Sequence, residues 1–283
     1  MNLLARQLVL ALQFFTRIPL PGALVTWAGY TPALMQASLC HFPAIGWITG
    51  ALSAGCFLLT LHLWGAPVLT MAAPSLLMLL ASLAAVLCSI FVTGALHEDG
   101  LADVADALGG AASPARALAI MKDSRVGSYG VLALIASLAL RVLLLACMGI
   151  VQPFLAVCVI VGSHVISRFF PLLLIRLLPY ARTDDCSKTV QAMGEMHAVS
   201  LWSAALWCLP LALCYWLPQG AWLVAILGVA TLASAVAAWA MYGWFRKRLG
   251  GYTGDCLGAT QQVCDMVFLA AALTAMLRAM GQL

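Results

Sequence analysis

The sequence predicts an all-α fold, a polytopic bundle of membrane helices, on three observations. Hydrophobic residues make up 64% of the 283-residue chain and charged residues only 8%, where a soluble domain carries roughly a quarter. Mean hydropathy is +1.03. The apolar residues also come in runs of about the 20 residues that cross a bilayer, and backbone in lipid must satisfy its own hydrogen bonds, as a helix does. A chain of this length and character reads as one integral-membrane domain, 1–283, with its catalytic loops on one face. The net charge of +4 suits basic loops beside a lipid bilayer better than a nucleic-acid surface. The ten cysteines include no C-x-x-C pair, and Cys56, Cys88, Cys147, Cys158, Cys208 and Cys214 lie inside apolar runs, so they read as small buried hydrophobes.

Taken in order, the N-terminal run "MNLLARQLVLALQFFTRIPLPG" has a short apolar core between Arg6 and Arg17. It predicts an interfacial helix ending at the Pro19–Pro21 turn and not a cleaved leader, since no small-residue cleavage site precedes Arg17. About seven transmembrane helices follow, at 41–63, 71–95, 128–150, 154–178, 200–217, 220–243 and 259–280. The connections near 64–70, 151–153 and 218–219 are short and uncharged. Those at 1–40, 96–127, 179–199 and 244–258 hold ten of the fourteen Lys and Arg residues. With an odd number of spans these four share one side, which the positive-inside rule makes cytoplasmic. Nine of the ten carboxylates fall on that side too, including Asp184, Asp185 and Glu195, and Asp265 lies about two turns into the last span.

Within that polar face the negative charge is concentrated. Glu98, Asp99, Asp103 and Asp106 fall within nine positions. Asp99, Asp103 and Asp106, spaced i, i+4, i+7, stack within roughly a 60° arc of a helix. Nothing basic lies between 97 and 115 to relieve their repulsion. A bound divalent cation would, and an all-carboxylate set suits hard Mg²⁺, Mn²⁺ or Ca²⁺ better than zinc. His97 offers a general base or a group behind the metal ligands. It does not open a zinc-protease motif, because position 101 is Leu101.

Two further stretches combine cations with glycines. "PARALAIMKDSRVGSYG" predicts a short helix capped by Ser113 with Pro114 in its first turn. Lys122, Asp123, Ser124 and Arg125 then precede Gly127 and Gly130, a phosphate cradle in which Arg125 can grip two oxygens. "RKRLGGYTGDCLGA" repeats the arrangement, with Thr253, Gly254 and Asp255 entering a helix whose N-terminus can receive an anion. Asp255 either joins the acidic set or caps that helix. Arg168, one turn after His164 inside a span, reaches toward the acidic cluster or a ligand phosphate, or pairs with Asp265. Together these residues describe a metal–diphosphate site at a membrane surface.

The motifs "GALHEDGLADVADALGG", "IMKDSRVGSYG" and "GGYTGDCLGA", with "FFTRIPLP" near the start, resemble the adenosylcobinamide-GDP ribazoletransferase (cobalamin-5′-phosphate synthase) family over about residues 10–275. Ala107 departs from the glycine usual after the third Asp, and the 180–198 stretch matches weakly and receives no chemical role. The resemblance implies a Mg²⁺-dependent enzyme of the bacterial cytoplasmic membrane. It would join α-ribazole, or its 5′-phosphate, to adenosylcobinamide-GDP, releasing GMP. On that reading Asp99, Asp103, Asp106 and Asp255 hold the metal. Asp103, Asp106 and His97 are catalytic, and Lys122, Asp123, Ser124, Arg125, Thr253, Gly254 and Arg168 bind the diphosphate. A CDP-alcohol phosphotransferase would need Arg at 103, where the chain has Asp103. An ion-coupled transporter is suggested by Arg141, Arg168 and Asp265 within spans, but it would gather its binding groups at the midplane of repeated, broken helices.

Overall fold

The long apolar runs fold as helices, and the breaks fall where backbone chemistry demands them. A computed structural model describes residues 2–70, 74–110, 113–182, 196–217 and 219–281. Asp184, Asp185, Lys188 and Glu195 of the basic and acidic partition, positions 71–73 of the second predicted span and position 218 lie outside the described residues.

Helix α1 (Asn2–Phe15) ends short of the Pro19–Pro21 turn, where the Thr16 hydroxyl donates to the Leu12 carbonyl at 2.6 Å. Two short helices, α2 (Gly22–Ala28) and α3 (Pro32–Ser38), lead through a 3₁₀ turn into α4 (Phe42–Thr70). Helix α5 (Pro74–Thr93) stops at Gly94 and Ala95, both at positive φ, and α6 (Leu96–Gly110) starts in a new direction. Then come α7 (Pro114–Ile120), α8 (Ser128–Val151), α9 (Pro153–Leu177), α10 (Ala198–Leu206), α11 (Gly220–Leu249) and α12 (Gly254–Ala279). Ser113 caps α7 as predicted, its hydroxyl accepting from the Arg116 N–H. Gly250 at φ 70° ends α11, and Arg246, Lys247 and Arg248 in its last turn complement the helix dipole.

Among the described residues, six helices are long and apolar enough to cross a membrane. The seventh predicted span, 200–217, is not a continuous helix. Helix α10 gives way at Trp207, and a 3₁₀ stretch, Leu209–Trp216, follows with Pro210 in its first turn. Proline has no N–H to continue the α ladder, which explains the change. The segment can still cross. At about 1.5 Å per α residue and 2.0 Å per 3₁₀ residue, the two pieces extend roughly 30 Å end to end, the thickness of a bilayer's hydrocarbon core. Its middle is tied to the first turns of α4: Trp207 donates to His41 at 3.0 Å, and Trp47 donates to the Trp207 carbonyl at 2.8 Å. Its end, at Leu211 and Cys214, packs with the opposite half of the bundle.

The buried side chains form two stacked cores. One joins Phe15, Phe42, Leu101, Leu108, Ile175, Met196, Phe245 and Tyr252. The other joins Phe57, Val86, Leu145, Ile160, Leu223, Ile226 and Phe268. The first lies where α4 and α12 begin and where α9 and α11 end, so α6, α7 and the described charged connections gather at one end of the bundle. The short joints between α8 and α9, at Gln152, and before α11, at Gln219, belong to the other end. In a background lacking native cysteines, single cysteines at positions 110 and 250 should react with an impermeant maleimide from the same side of sealed vesicles, and cysteines at 152 and 219 from the opposite side.

Candidate active site

Helix α6 is short, and its composition divides it into two faces. His97, Glu98, Leu101, Val104 and Leu108 are buried, whereas Asp99 is exposed and Asp103 and Asp106 are half-buried. The predicted acidic face is therefore the open one. It is brought to the start of α12 by a contact between two glycines. A Cβ added to Gly100 would lie 2.8 Å from the Asp255 carbonyl oxygen and 3.2 Å from the Gly258 Cα, and one added to Gly258 would lie 3.3 Å from the His97 Cα. The helices meet backbone to backbone, and only residues without side chains permit it. The consequence is electrostatic. Burial, together with the neighbouring charges of Asp255, Asp99 and Asp106, raises the Asp103 carboxyl to about 7, with Arg182 acting against the rise.

Asp255 does not cap α12. Thr253 does, accepting from the Cys256 N–H at 3.3 Å and donating its hydroxyl to Asp255 Oδ2 at 3.2 Å. The same oxygen forms an ion pair with Arg182 at 2.9 Å. Arg182 is held there by a parallel bridge between Tyr180 and Tyr252, in which Ala181 N–H donates to the Tyr252 carbonyl and Tyr252 N–H donates to the Pro179 carbonyl. Sequence reasoning missed Arg182. The signal available was a lone cation directly after α9, in a stretch given no chemical role.

Asp106 is engaged differently from its two neighbours. Its Oδ2 accepts from the Gly127 N–H at 2.7 Å and its Oδ1 from the Gly130 N–H at 2.8 Å. It thus caps α8 from another helix, and the favourable end of the α8 dipole offsets its charge. Gly127 and Gly130 make room for it: a Cβ on either would fall within 2.5 Å of a carboxylate oxygen. Among the described residues, no three His, Cys, Asp or Glu side chains form a ready-made metal cage.

The Lys122–Arg125 stretch lies at the surface, with Lys122 and Ser124 exposed. The Arg125 guanidinium closes on Asp123 with its own side chain 88% exposed, and this pairing lowers the Asp123 carboxyl to about 2. The loop touches the site through buried Met121, whose sulfur lies 3.8 Å from the Thr253 hydroxyl.

The buried charges are paired otherwise than the sequence suggests. Asp265 pairs with Arg141 at 3.1 Å, not with Arg168. Arg141 also donates to Glu98 at 3.1 Å, and Gln262 donates to the same Glu98 oxygen at 2.9 Å. Arg168 is buried, donates to the His164 carbonyl at 2.9 Å and sits 5.7 Å above the Phe42 ring. His97 meets the edge of the same ring, with centroids 5.4 Å apart. Burial first, then the Arg168 and Arg141 charges, push its imidazole well below the usual histidine range, so it is neutral at physiological pH. Its Nε2 is buried without a hydrogen-bond partner among the described residues. His97, Asp99, Gly254 and Asp255 all border a cavity of about 180 Å³ that runs inward among Phe14, Phe15, Phe42, Pro171 and Leu172.

Residues 7–273 match the sequence profile of the cobalamin-5-phosphate synthase family. The chain belongs to this family. A relative from Albidiferax ferrireducens named adenosylcobinamide-GDP ribazoletransferase is 42% identical over 95% of this chain and 97% of its own length. Relatives of the same name from Polaromonas naphthalenivorans and Shewanella woodyi are 40% and 36% identical, each covering more than nine-tenths of both chains. No solved structure matches. As a cobalamin-5-phosphate synthase family member, the chain is a transferase of cobalamin biosynthesis, and the match includes every residue of the site.

Two expectations separate the roles of the stacked aspartates. Asp106→Ala removes a cap, which costs about 0.5–2 kcal/mol, and should lower the melting temperature in detergent. Asp103 has a folded pKa raised above the unfolded value of about 4, so ionising it opposes folding. In chelator, stability should fall as pH rises from about 4 to about 7, and Asp103→Asn should flatten that slope. Chemical denaturation across this pH range measures it.

Proposed function

We propose that the chain joins α-ribazole, or α-ribazole 5′-phosphate, to adenosylcobinamide-GDP, giving adenosylcobalamin, or its 5′-phosphate, and GMP. The observation that carries the reading is that Asp99, Asp255 and His97 border one cavity, with Asp103 close enough to feel the charges of Asp99 and Asp255 and with Arg182 ion-paired to Asp255. Family membership supplies the substrates' identity, through relatives named for this reaction.

The residues fit a hard divalent cation. The donors are carboxylates, and Asp103, raised first by burial and then by the neighbouring Asp255, Asp99 and Asp106, is a group whose ionised form a cation would favour. Asp99, Asp103 and Asp255 would hold Mg²⁺. When bound, Mg²⁺ neutralises charge on diphosphate oxygens as a phosphoanhydride is broken. Asp106 supports the site by holding the start of α8. Arg182 lies closer to the carboxylates than Arg125 does, and its planar fork can exchange an Asp255 oxygen for phosphate oxygens. Thr253 and Gly254 place the N-terminus of α12 at the same point, where a phosphate is favoured. Lys122, Ser124 and Arg125 offer further contacts at the outer edge of the site, and Arg168 acts from behind Phe42.

In the reaction, a ribose hydroxyl of the acceptor attacks the phosphorus bonded to cobinamide. The new O–P bond forms as the anhydride bond to GMP breaks. Neutral His97 borders the cavity and takes the hydroxyl proton. The site then faces the cytoplasm of a bacterial inner membrane, because Arg246, Lys247 and Arg248 end α11 on the same side.

Asp103→Asn and Asp99→Asn should each abolish GMP release while the protein elutes as wild type and melts no lower, and excess EDTA should abolish it in the unaltered protein. Steady-state GMP release in detergent tests this. Normal turnover in EDTA, or in both variants, overturns the metal assignment. A parallel flux assay in liposomes that shows solute transport without GMP release would favour a transporter.

A further inference from the structure

The run "FFTRIPLP" belongs to the motifs that carry the family resemblance, yet the chemistry above gives Phe14 and Phe15 nothing to do. Their place in the fold assigns them a task. Phe15 stacks on Phe42 with ring centroids 4.1 Å apart and 19° between planes, and Phe14 meets Phe15 edge-on at 4.9 Å. His97 continues the same aromatic wall through its contact with Phe42. The rings border a cavity that is also lined by Leu172, Ile175 and Leu257 and by the carboxylate residues Asp99 and Asp255.

Resting on the function proposed above, we infer that this cavity receives the fused-ring base of the acceptor, the dimethylbenzimidazole of α-ribazole, with its ribose at the mouth. Size supports the assignment. A closed apolar cavity of about 150 Å³ takes up benzene, so one of about 180 Å³ with an open end holds a small fused ring; a corrin ring is far larger. Chemistry separates the remaining candidates. The edge of guanine carries several donors and acceptors, and a wall of phenylalanine and leucine would leave them unpaired. A dimethylated benzimidazole has a methyl-bearing edge and flat faces that suit such a wall. A lipid chain would bring no polar group to Asp99, Asp255 or the imidazole of His97, which all border the cavity. A ribose at the mouth would. The arrangement therefore sets the acceptor's hydroxyl beside both the proton acceptor and the carboxylates.

The test changes the cavity at a lining residue outside the aromatic wall. Full-length protein in detergent is assayed with Leu257→Phe, which fills the cavity, and Leu257→Ala, which enlarges it. Leu257→Phe should raise KM for α-ribazole roughly tenfold or more, and leave KM for adenosylcobinamide-GDP within about twofold, the scale on which a pocket discriminates by one or two methyl groups. The riboside of unsubstituted benzimidazole should be less impaired. Leu257→Ala should shift the preference the other way, toward bulkier bases. A raised donor KM with an unmoved acceptor KM would overturn the assignment, as would unchanged values in both variants. Should the unaltered protein release no GMP, the transferase reading fails by itself. Equilibrium dialysis with free 5,6-dimethylbenzimidazole then still decides the cavity's occupant: saturable binding lost in Leu257→Phe supports it, and no binding refutes it.

Discussion

Arg141 fixes the arrangement on which the rest depends. It is 3% exposed, in a helix that crosses the membrane, and it is held by two carboxylates from different elements, Glu98 of α6 and Asp265 of α12. A charge at that depth is tolerated only when paired. Removing one partner of such a buried pair costs about 3–5 kcal/mol. Gln262 joins the network by donating to Glu98 and links it to Gln261, which donates in turn to Ser167 of α9. Four helices are thereby held in register by groups that cannot be released one at a time. With Glu98 committed inward, the helical period turns Asp99 and Asp103 outward. The buried acid sets the direction of the exposed ones.

The stacked aspartates then divide the work by environment, not by type. Asp106 faces the start of α8 and accepts two backbone N–H groups. Asp103 faces other carboxylates and is pushed toward neutrality. Asp99 is exposed at the cavity mouth. The repulsion inferred from their spacing is thus relieved for one of the three by the protein itself. The remaining repulsion falls on Asp99, Asp103 and Asp255, which makes them the carboxylates for which a cation is the natural partner.

Much of the fold was legible because lipid imposes a simple code. Long apolar runs became helices, and the uncharged joints at Gln152 and Gln219 fell opposite the charged connections, whereas the joint expected near 64–70 is part of α4, which runs to Thr70. The run at 200–217 misled because hydropathy does not register the backbone donor that Pro210 lacks. At the site, the i, i+4, i+7 spacing correctly announced an open acidic face. Partners far apart in the chain were illegible. Nothing in the sequence says that Asp106 reaches across to Gly127, that Asp265 chooses Arg141 over Arg168, or that Arg182 crosses to Asp255. Each pairing depends on helix packing, and the contact that decides the last of them is between Gly100 and Gly258, two residues with no side-chain chemistry to notice.

The placement of the cavity bears on why this chemistry belongs in a membrane bundle. A water-soluble enzyme must build a dry wall by covering it with more protein. Here the helices that form the wall are already apolar on most sides, so a cavity between α1, α4, α9 and α12 can stay lined by Phe14, Phe15, Phe42 and Leu172 at no added cost in fold. At the same end of the bundle, chain ends and short helices leave the bilayer, and there carboxylates and arginines are tolerated. The boundary between these regions lies at His97 and Asp99, neighbours on α6 on either side of Glu98. On the proposed reading, an apolar base on one side and a diphosphate on the other are joined across that boundary, where a neutral imidazole and a carboxylate sit within one turn of the same helix.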